Sequence, residues 1–368
     1  MELRITARLH AYDRLGLLRA ATPDDLPAAR WLAAEAGDSR LMRVAMERLQ
    51  VLRADAVWEN GRIEGLPLFD GGLTGPDGIT GRLGTEITFH EMHPGAASLK
   101  QMPFERQRRD TSARAMIVAL RTAPDGLAPL NAPNFRMPFG PPVLQVAGHD
   151  AARLATLTGT TLRITLDATR HAGESANVLA DVAGGAAAPL VVMTPRTSWW
   201  TSLGERAGGV MAWIEALHAL RQAGRLSAPA HFAATCGHEL GHLGLNAWLD
   251  STPGLVRHAA LFLHLGANLG AAGAGVLTLR SNAGGMAERM RDALIEARYP
   301  ANEIALAPGD TANGEAHDIL VRGGRFLSLI GSNPRFHDPD DRWPQGVDVP
   351  RTTAIAAAVA RIASALAR

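Results

Sequence analysis

Thr235-Cys236-Gly237-His238-Glu239-Leu240-Gly241-His242-Leu243-Gly244-Leu245 is the stretch on which the reading of this chain turns. His238 and His242 stand four residues apart with Glu239 between them. On a helix this spacing puts two imidazoles on one face, where they hold a zinc ion while the glutamate activates water. That use requires a helix already running at the first histidine. The preceding residues, His231-Phe232-Ala233-Ala234-Thr235-Cys236, instead form a weakly alternating apolar run that ends in Gly237, the pattern of a buried strand. Gly241 and Gly244 each cost a helix about 1 kcal/mol relative to alanine. No histidine follows at the short spacing that would complete such a site, and the next glutamate, Glu288, is far downstream. The stretch predicts a strand that ends in a polar turn.

The flanking sequence has the matching rhythm. Pro189 to Met193, Ala259 to Leu265, Gly275 to Leu279 and Phe326 to Ile330 are short apolar runs that read as strands. Gly209 to Arg221 carries Val210, Trp213, Leu217 and Leu220 on one stripe and reads as a helix. Ala287 to Arg298 is a second helix, and Pro350 opens a last one with Ile355, Val359, Ile362 and Leu366 apolar. Strands alternating with helices imply an α/β fold with a mostly parallel central sheet flanked by helices. Near the N-terminus, Asp24 and Asp25 offer N-cap chemistry to a helix from Leu26 to Ala36, and a further helix is expected to run through Leu52. Between residues 54 and 172 the texture changes to β-like runs separated by Gly- and Pro-rich turns. These are Ile87 to Phe89, Ala115 to Leu120, Pro142 to Val146 and Thr161 to Leu166. The expected organisation is one domain from 1–53 and 173–368, with 54–172 inserted into it as a β-rich module. In that module His90 and His93, and the run from Arg106 to Arg109, read as solvated surface.

At 368 residues the chain exceeds one ordinary core, which fits two domains. Apolar residues make up 46% and charged residues 20%, the balance of a soluble globular protein. A net charge of +1 argues against nucleic acid or an acidic membrane as partner. Lys100 is the one lysine, so the arginine excess is a coding bias, not a binding patch. The single Cys236 precludes an internal disulfide and fits a reducing compartment. Met1-Glu2-Leu3-Arg4-Ile5 has no leader pattern, which sets the expectation of a cytoplasmic protein. His258 to Leu279 carries no acidic or basic residue apart from its histidines and is long enough to span a bilayer. Its glycines, His258, His264 and Asn268 suit two strands and a site loop better.

Ligands of open α/β sheets bind at the carboxyl ends of strands, and four such ends here carry polar residues. Strand 189–193 runs into Thr194-Pro195-Arg196-Thr197-Ser198-Trp199-Trp200, then Gly204-Glu205-Arg206-Ala207-Gly208-Gly209 opens a helix. The others lead to His238-Glu239, to His264-Leu265-Gly266-Ala267-Asn268 and to Phe336-His337-Asp338-Pro339-Asp340-Asp341. In order and spacing these segments resemble the zinc exopeptidase family of bacterial leucyl aminopeptidases, glutamate carboxypeptidase and glutaminyl cyclases. Many of its members carry an inserted protease-associated (PA) domain. Gly204 to Val210 resembles the family's Gly-Ala-x-Asp-Asn-x-x-Gly, Gly237 to Gly244 its Gly-Glu-Glu-x-Gly-Leu-Leu-Gly, and Phe336 to Asp341 its Tyr-His-Thr-Pro-x-Asp.

The resemblance implies a hydrolase-like α/β fold with a PA-like insert, and a metal site that departs from the two-zinc pattern. Glu239 matches the metal-binding glutamate, His337 the final histidine, and Glu205 stands where the bridging aspartate would be. First-loop ligands are missing, with Arg196 and Ser198 in their region, and Gly266 stands for a further aspartate, two residues after His264. His238 replaces the general-base glutamate. Glu205, Glu239 and His337 are thus expected to hold one zinc with an open position. His238 would take a proton from its water and Arg196 would hold a substrate carboxylate or oxyanion. His264, His242, Ser198, Trp199 and Asn268 would line the site. The implied activity is cleavage of peptide or other amide bonds in small substrates. A metal-free relative that binds a ligand or protein, and a one-zinc glutaminyl-cyclase-like enzyme, are the alternatives.

Overall fold

A computed structural model describes residues 1–92, 97–121, 126–273 and 275–368 of the chain; His93 lies outside them. It contains two sheets and a set of helices. The strands are β1 (Arg40–Trp58), β2 (Gly61–Glu64), β3 (Leu66–Pro67), β4 (Ile79–Arg82), β5 (Ile87–Met92), β6 (Ala115–Leu120) and β7 (Val143–Ala147). They continue with β8 (Thr161–Val182), β9 (Leu190–Pro195), β10 (Ala230–Thr235), β11 (Leu261–Leu265), β12 (Leu277–Ser281), β13 (Ile304–Pro308) and β14 (Phe326–Ile330). The helices are α1 (Glu2–Asp13), α2 (Asp25–Ala36), α3 (Ala97–Asp110), α4 (Ala151–Thr156) and α5 (Gly208–Gln222). After them come α6 (Leu243–Ser251), α7 (Leu255–His258), α8 (Met286–Glu296), α9 (Glu315–Val321) and α10 (Val349–Ala367).

The main sheet runs β13-β12-β14-β11-β9-β10-β8-β1-β2, with β4 paired to β8. Its centre, β14-β11-β9-β10, is parallel, and β8 joins β10 antiparallel. These central strands are apolar along nearly their whole length because both faces are covered. One face packs on α1, α2, α5, α8 and α10, with Trp213, Leu217, Ile355 and Val359 buried. The other packs on α6 and α9 through Leu245, Trp248 and Ile319. Burying each such side chain contributes roughly 1.5–3 kcal/mol. α10 starts at Val349 with Pro350 in its first turn, and Asp348 caps it by accepting from Arg351 N at 2.9 Å.

A smaller sheet, β3-β7-β6-β5, is drawn from residues 66 to 147 and packs through Ile87, Ile117 and Leu144 into a buried cluster shared with Ile164 of β8. The two sheets are linked through the long β1–β8 hairpin, which pairs from Arg40↔Leu179 to Val57↔Arg163.

Three local expectations are corrected. Residues after Arg40 form β1 and not a helix through Leu52, because pairing with β8 over the whole length overrides a helix-favouring composition. Asp24 does not cap α2, since its carboxylate accepts from Leu17 N, while Asp25 accepts from Ala21 N. Arg108 is no solvated loop residue: it lies on α3 and is buried against Asp70 at 3.0 Å.

Candidate functional site

β9, β10, β11 and β14 are neighbours, so their carboxyl ends open on one side of the sheet. After β10 the chain does not continue as an α-helix. Gly237 (φ +69) turns into a single 3-10 turn at His238–Leu240, and Gly241 (φ +85) and His242 (φ +55) are both left-handed before α6 begins. A Cβ on Gly241 would stand 2.5 Å from Pro133 O, so the turn requires glycine. This irregular path still stacks the His238 and His242 rings, with centroids 4.9 Å apart.

Two groups of side chains meet here. The first contains the residues expected to hold zinc, but its centre is a guanidinium. Arg206 Nη2 lies 2.8 Å from Glu205 Oε1 and 2.8 Å from Glu239 Oε1, and its Nε donates to Thr197 O at 2.7 Å. Thr197 Oγ1 donates to Glu239 Oε2 at 3.1 Å and accepts from Gly237 N. His337 donates through Nδ1 to Pro129 O at 2.6 Å, which leaves a bare Nε2 at 3.6 Å from Glu205 Oε1. Burial holds the His337 imidazole below its ordinary pKa, so it is neutral. Burial also opposes the charge on Arg206, but Glu205 and Glu239 outweigh it and raise its pKa. Burial pushes the Glu239 carboxyl up, and Arg206 with His238 holds it below its ordinary value. Asp341 fixes the start of α5 by accepting from Gly204 N and Glu205 N, and burial beside Glu205 pushes it up to about 7.

Glu205, Glu239 and His337 do come together, but they do not fit an additional divalent ion. Arg206 Nη2 already takes the place between the two carboxylates that an ion would need. The group is also sealed. Glu205, Arg206, Glu239 and His337 are each at most 2% exposed, and residues 129–133 cross them, with Ala132 N donating to Glu239 O at 2.7 Å. Among the described residues, the bare His337 Nε2 and the Glu205 oxygens make no hydrogen bond, and the guanidinium of Arg206 lies 2.8 Å from Glu205 Oε1.

The second group stands next to it and reaches solvent. His238 donates through Nδ1 to Glu315 Oε1 at 2.7 Å, and His264 donates through Nε2 to Glu315 Oε2 at 3.2 Å. Ser328 Oγ donates to His264 Nδ1 at 2.8 Å. His242 donates through Nδ1 to Asp318 Oδ2 at 2.6 Å. Glu315 and His264 are buried, while the His238 and His242 side chains are 10% and 22% exposed. Burial pushes the Glu315 carboxyl up, but His238, His242 and a hydrogen bond from His264 hold it well below the usual range. Burial pushes His242 down, and Glu315 with Asp318 outweighs it, so its pKa is raised. One ring nitrogen from each of His238 and His242 and one Glu315 oxygen lie within 4.8 Å of one another.

The other expected site residues have structural duties. Arg196 donates to Asp25 Oδ1 at 2.7 Å, Ala176 O at 2.6 Å and Ser175 Oγ at 3.0 Å, so its buried fork is already filled. Ser198 Oγ donates to Trp200 O, and Trp199 packs edge-on against Phe69 while donating to Asn131 Oδ1. Asn268 N donates to Glu205 O, which places it behind the first group. Sequence reasoning missed Arg206, Thr197, Asp341, Glu315, Asp318 and Ser328. Arg206 directly follows Glu205 in an apolar setting, and that was its signal. Glu315 is 77 residues from His238 and had none.

No protein-family model and no curated protein matches this chain. Solved structures do. A zinc aminopeptidase from Bacillus subtilis is 15% identical with a TM-score of 0.75, over 99% of this chain and 95% of that one. The aminopeptidase from Aneurinibacillus sp. strain AM-1 is 14% identical with a TM-score of 0.71, over 99% and 93%. The glutaminyl cyclase of Porphyromonas gingivalis is 12% identical with a TM-score of 0.52, over 98% and 96%. The fold is therefore the α/β fold of the zinc aminopeptidases, as the order and spacing of the sequence segments implied. Among the described residues no helix is long and apolar enough to cross a membrane.

Proposed function

We propose that this chain is a hydrolase of aminopeptidase type that cleaves peptide or other amide bonds in small substrates. Its reacting centre, on this reading, is the His238–His242–Glu315 group and not Glu205–Glu239–His337. The observation that carries the reading is the contrast between the two groups. One is bridged by an internal guanidinium and sealed, while the other presents two carboxylate-braced imidazoles to solvent at the same strand ends. Amide hydrolysis needs a nucleophilic water and a proton for the leaving amine. Braced imidazoles supply the first by accepting the water's proton or by holding one zinc ion that acidifies it. We take 54–172 as an inserted PA-like module whose residues 129–133 shape access from one side.

A panel of aminoacyl amides and dipeptides, assayed with and without zinc, tests this. Turnover that falls at least a hundredfold in His242→Ala and Glu315→Gln supports the reading, and absence of turnover across the panel sinks it. The Arg206 cation favours one second reading, a metal-free relative that binds peptides without cleaving them. Saturable binding of the same panel with no product is the result that selects it.

A further inference from the structure

We infer that His238, His242 and Glu315 form a site for one divalent transition-metal ion of the zinc type, displaced from the guanidinium-filled centre beside it. As the seat of the hydrolase's ion it rests on the reading above, so its test reads the ion and not turnover. Two imidazoles and one carboxylate are a donor set that suits zinc with a fourth position left for water, whereas magnesium and calcium prefer oxygen alone. The three donor atoms already lie within 4.8 Å of one another without an ion.

The surroundings are built as the support of a metal site is. A ligating histidine is oriented by a carboxylate on its other ring nitrogen, and Asp318 holds His242 in this way at 2.6 Å. Glu315 is fixed from behind by His264, which Ser328 orients in turn. Glu315 and Asp318 bring two negative charges to this corner. Arg322, 3.4 Å from Asp318 Oδ1, offsets part of one from outside. No arginine pairs with Glu315 among the described residues, in contrast to the doubly paired Arg206 next door. The backbone of His242 is left-handed, a conformation that costs a non-glycine residue energy and is retained where geometry matters. Here it carries the second ring over the first. The short His238–Glu315 hydrogen bond is the contact an ion would replace.

The full chain, stripped with chelator, is titrated with Co²⁺ in the visible range and with Zn²⁺ by calorimetry. One ion per chain is expected. Affinity should fall at least tenfold in His242→Ala and in Glu315→Gln. In Asp318→Asn it should fall 10–100-fold with the stoichiometry unchanged. His242 is partly exposed, so its alanine variant is expected to melt close to wild type, which separates lost ligation from lost folding. Binding of no ion overturns the inference, as does binding that survives in a His238→Ala/His242→Ala variant. An ion bound as predicted with no amide turned over overturns the hydrolase reading and keeps the site. Turnover with no ion does the reverse.

Discussion

Replacing Arg206 by methionine removes the one cation among the described residues that touches both Glu205 and Glu239, each at 2.8 Å and buried. Breaking a buried ion pair by taking one partner away costs about 3–5 kcal/mol, because the other is left as an uncompensated charge. Two carboxylates are left here, so the loss at neutral pH belongs at the upper end of that range. Its pH dependence carries a sign. In the wild type Glu239 sits below its ordinary value of 4.5, so its contribution is present above that pH and lost as pH falls through its folded pKa. In the variant burial acts unopposed by Arg206 and the folded-state pKa rises. Stability is then retained in acid and lost as pH rises through the new pKa. The two stability curves should therefore separate by about 4 kcal/mol toward pH 7 and approach each other as pH falls below 4.5. Urea unfolding across that range measures it. Adding Glu239→Gln to the methionine variant should recover part of the loss, since the pair is coupled. A difference below about 1 kcal/mol at pH 7, or one that does not change with pH, refutes the assignment of Arg206 as the internal counter-charge.

Further outcomes are expected elsewhere. Glu215→Gln unties α1 from α5, where Glu215 accepts from Arg4 and Arg8 at 2.6 Å; with Arg4 half exposed, the cost should be about 2–3 kcal/mol in denaturant titration. Burial pushes Glu215 up while Arg4 and Arg8 hold it below 4.5, so that cost should shrink as pH falls below 4.5. Gly241→Ala places a Cβ 2.5 Å from Pro133 O at a positive φ, and should lower the melting temperature and expose residues 129–133 to limited proteolysis; an unchanged digest contradicts the packing. Burial pushes the Cys236 thiol up to about 11, so a thiol reagent should react with the unfolded chain and not with the folded one.

The parallel centre of the sheet was legible because β9, β10, β11 and β14 are apolar runs with polar punctuation at their ends. β1 was not: Arg40 to Trp58 is rich in Leu, Arg, Met and Ala, and only its partner β8, more than a hundred residues away, makes it a strand. Gly237 and Gly241 correctly signalled that His238-Glu239-Leu240-Gly241-His242 is no α-helix. Spacing could not show that two left-handed residues bring the histidines together all the same. Glu239, His337 and Glu205 were found by pattern, but their ligand role depended on the neighbouring charge, and a sequence pattern does not reveal that Arg206 points inward. Arg196 misled for the same reason, since Asp25 lies 171 residues away. Glu315 and Asp318 enter only through the packing of α9 on β11 and β14.

The proposed chemistry sits at His238, His242 and Glu315. The most direct test is kcat/KM for an aminoacyl amide in zinc-supplemented wild type, His242→Ala and His337→Ala, each checked for folding. A loss of at least a hundredfold in His242→Ala with less than fivefold in folded His337→Ala is the predicted result. Loss confined to His337→Ala would return the reaction to the Glu205–Glu239–His337 centre and contradict the placement at His238, His242 and Glu315.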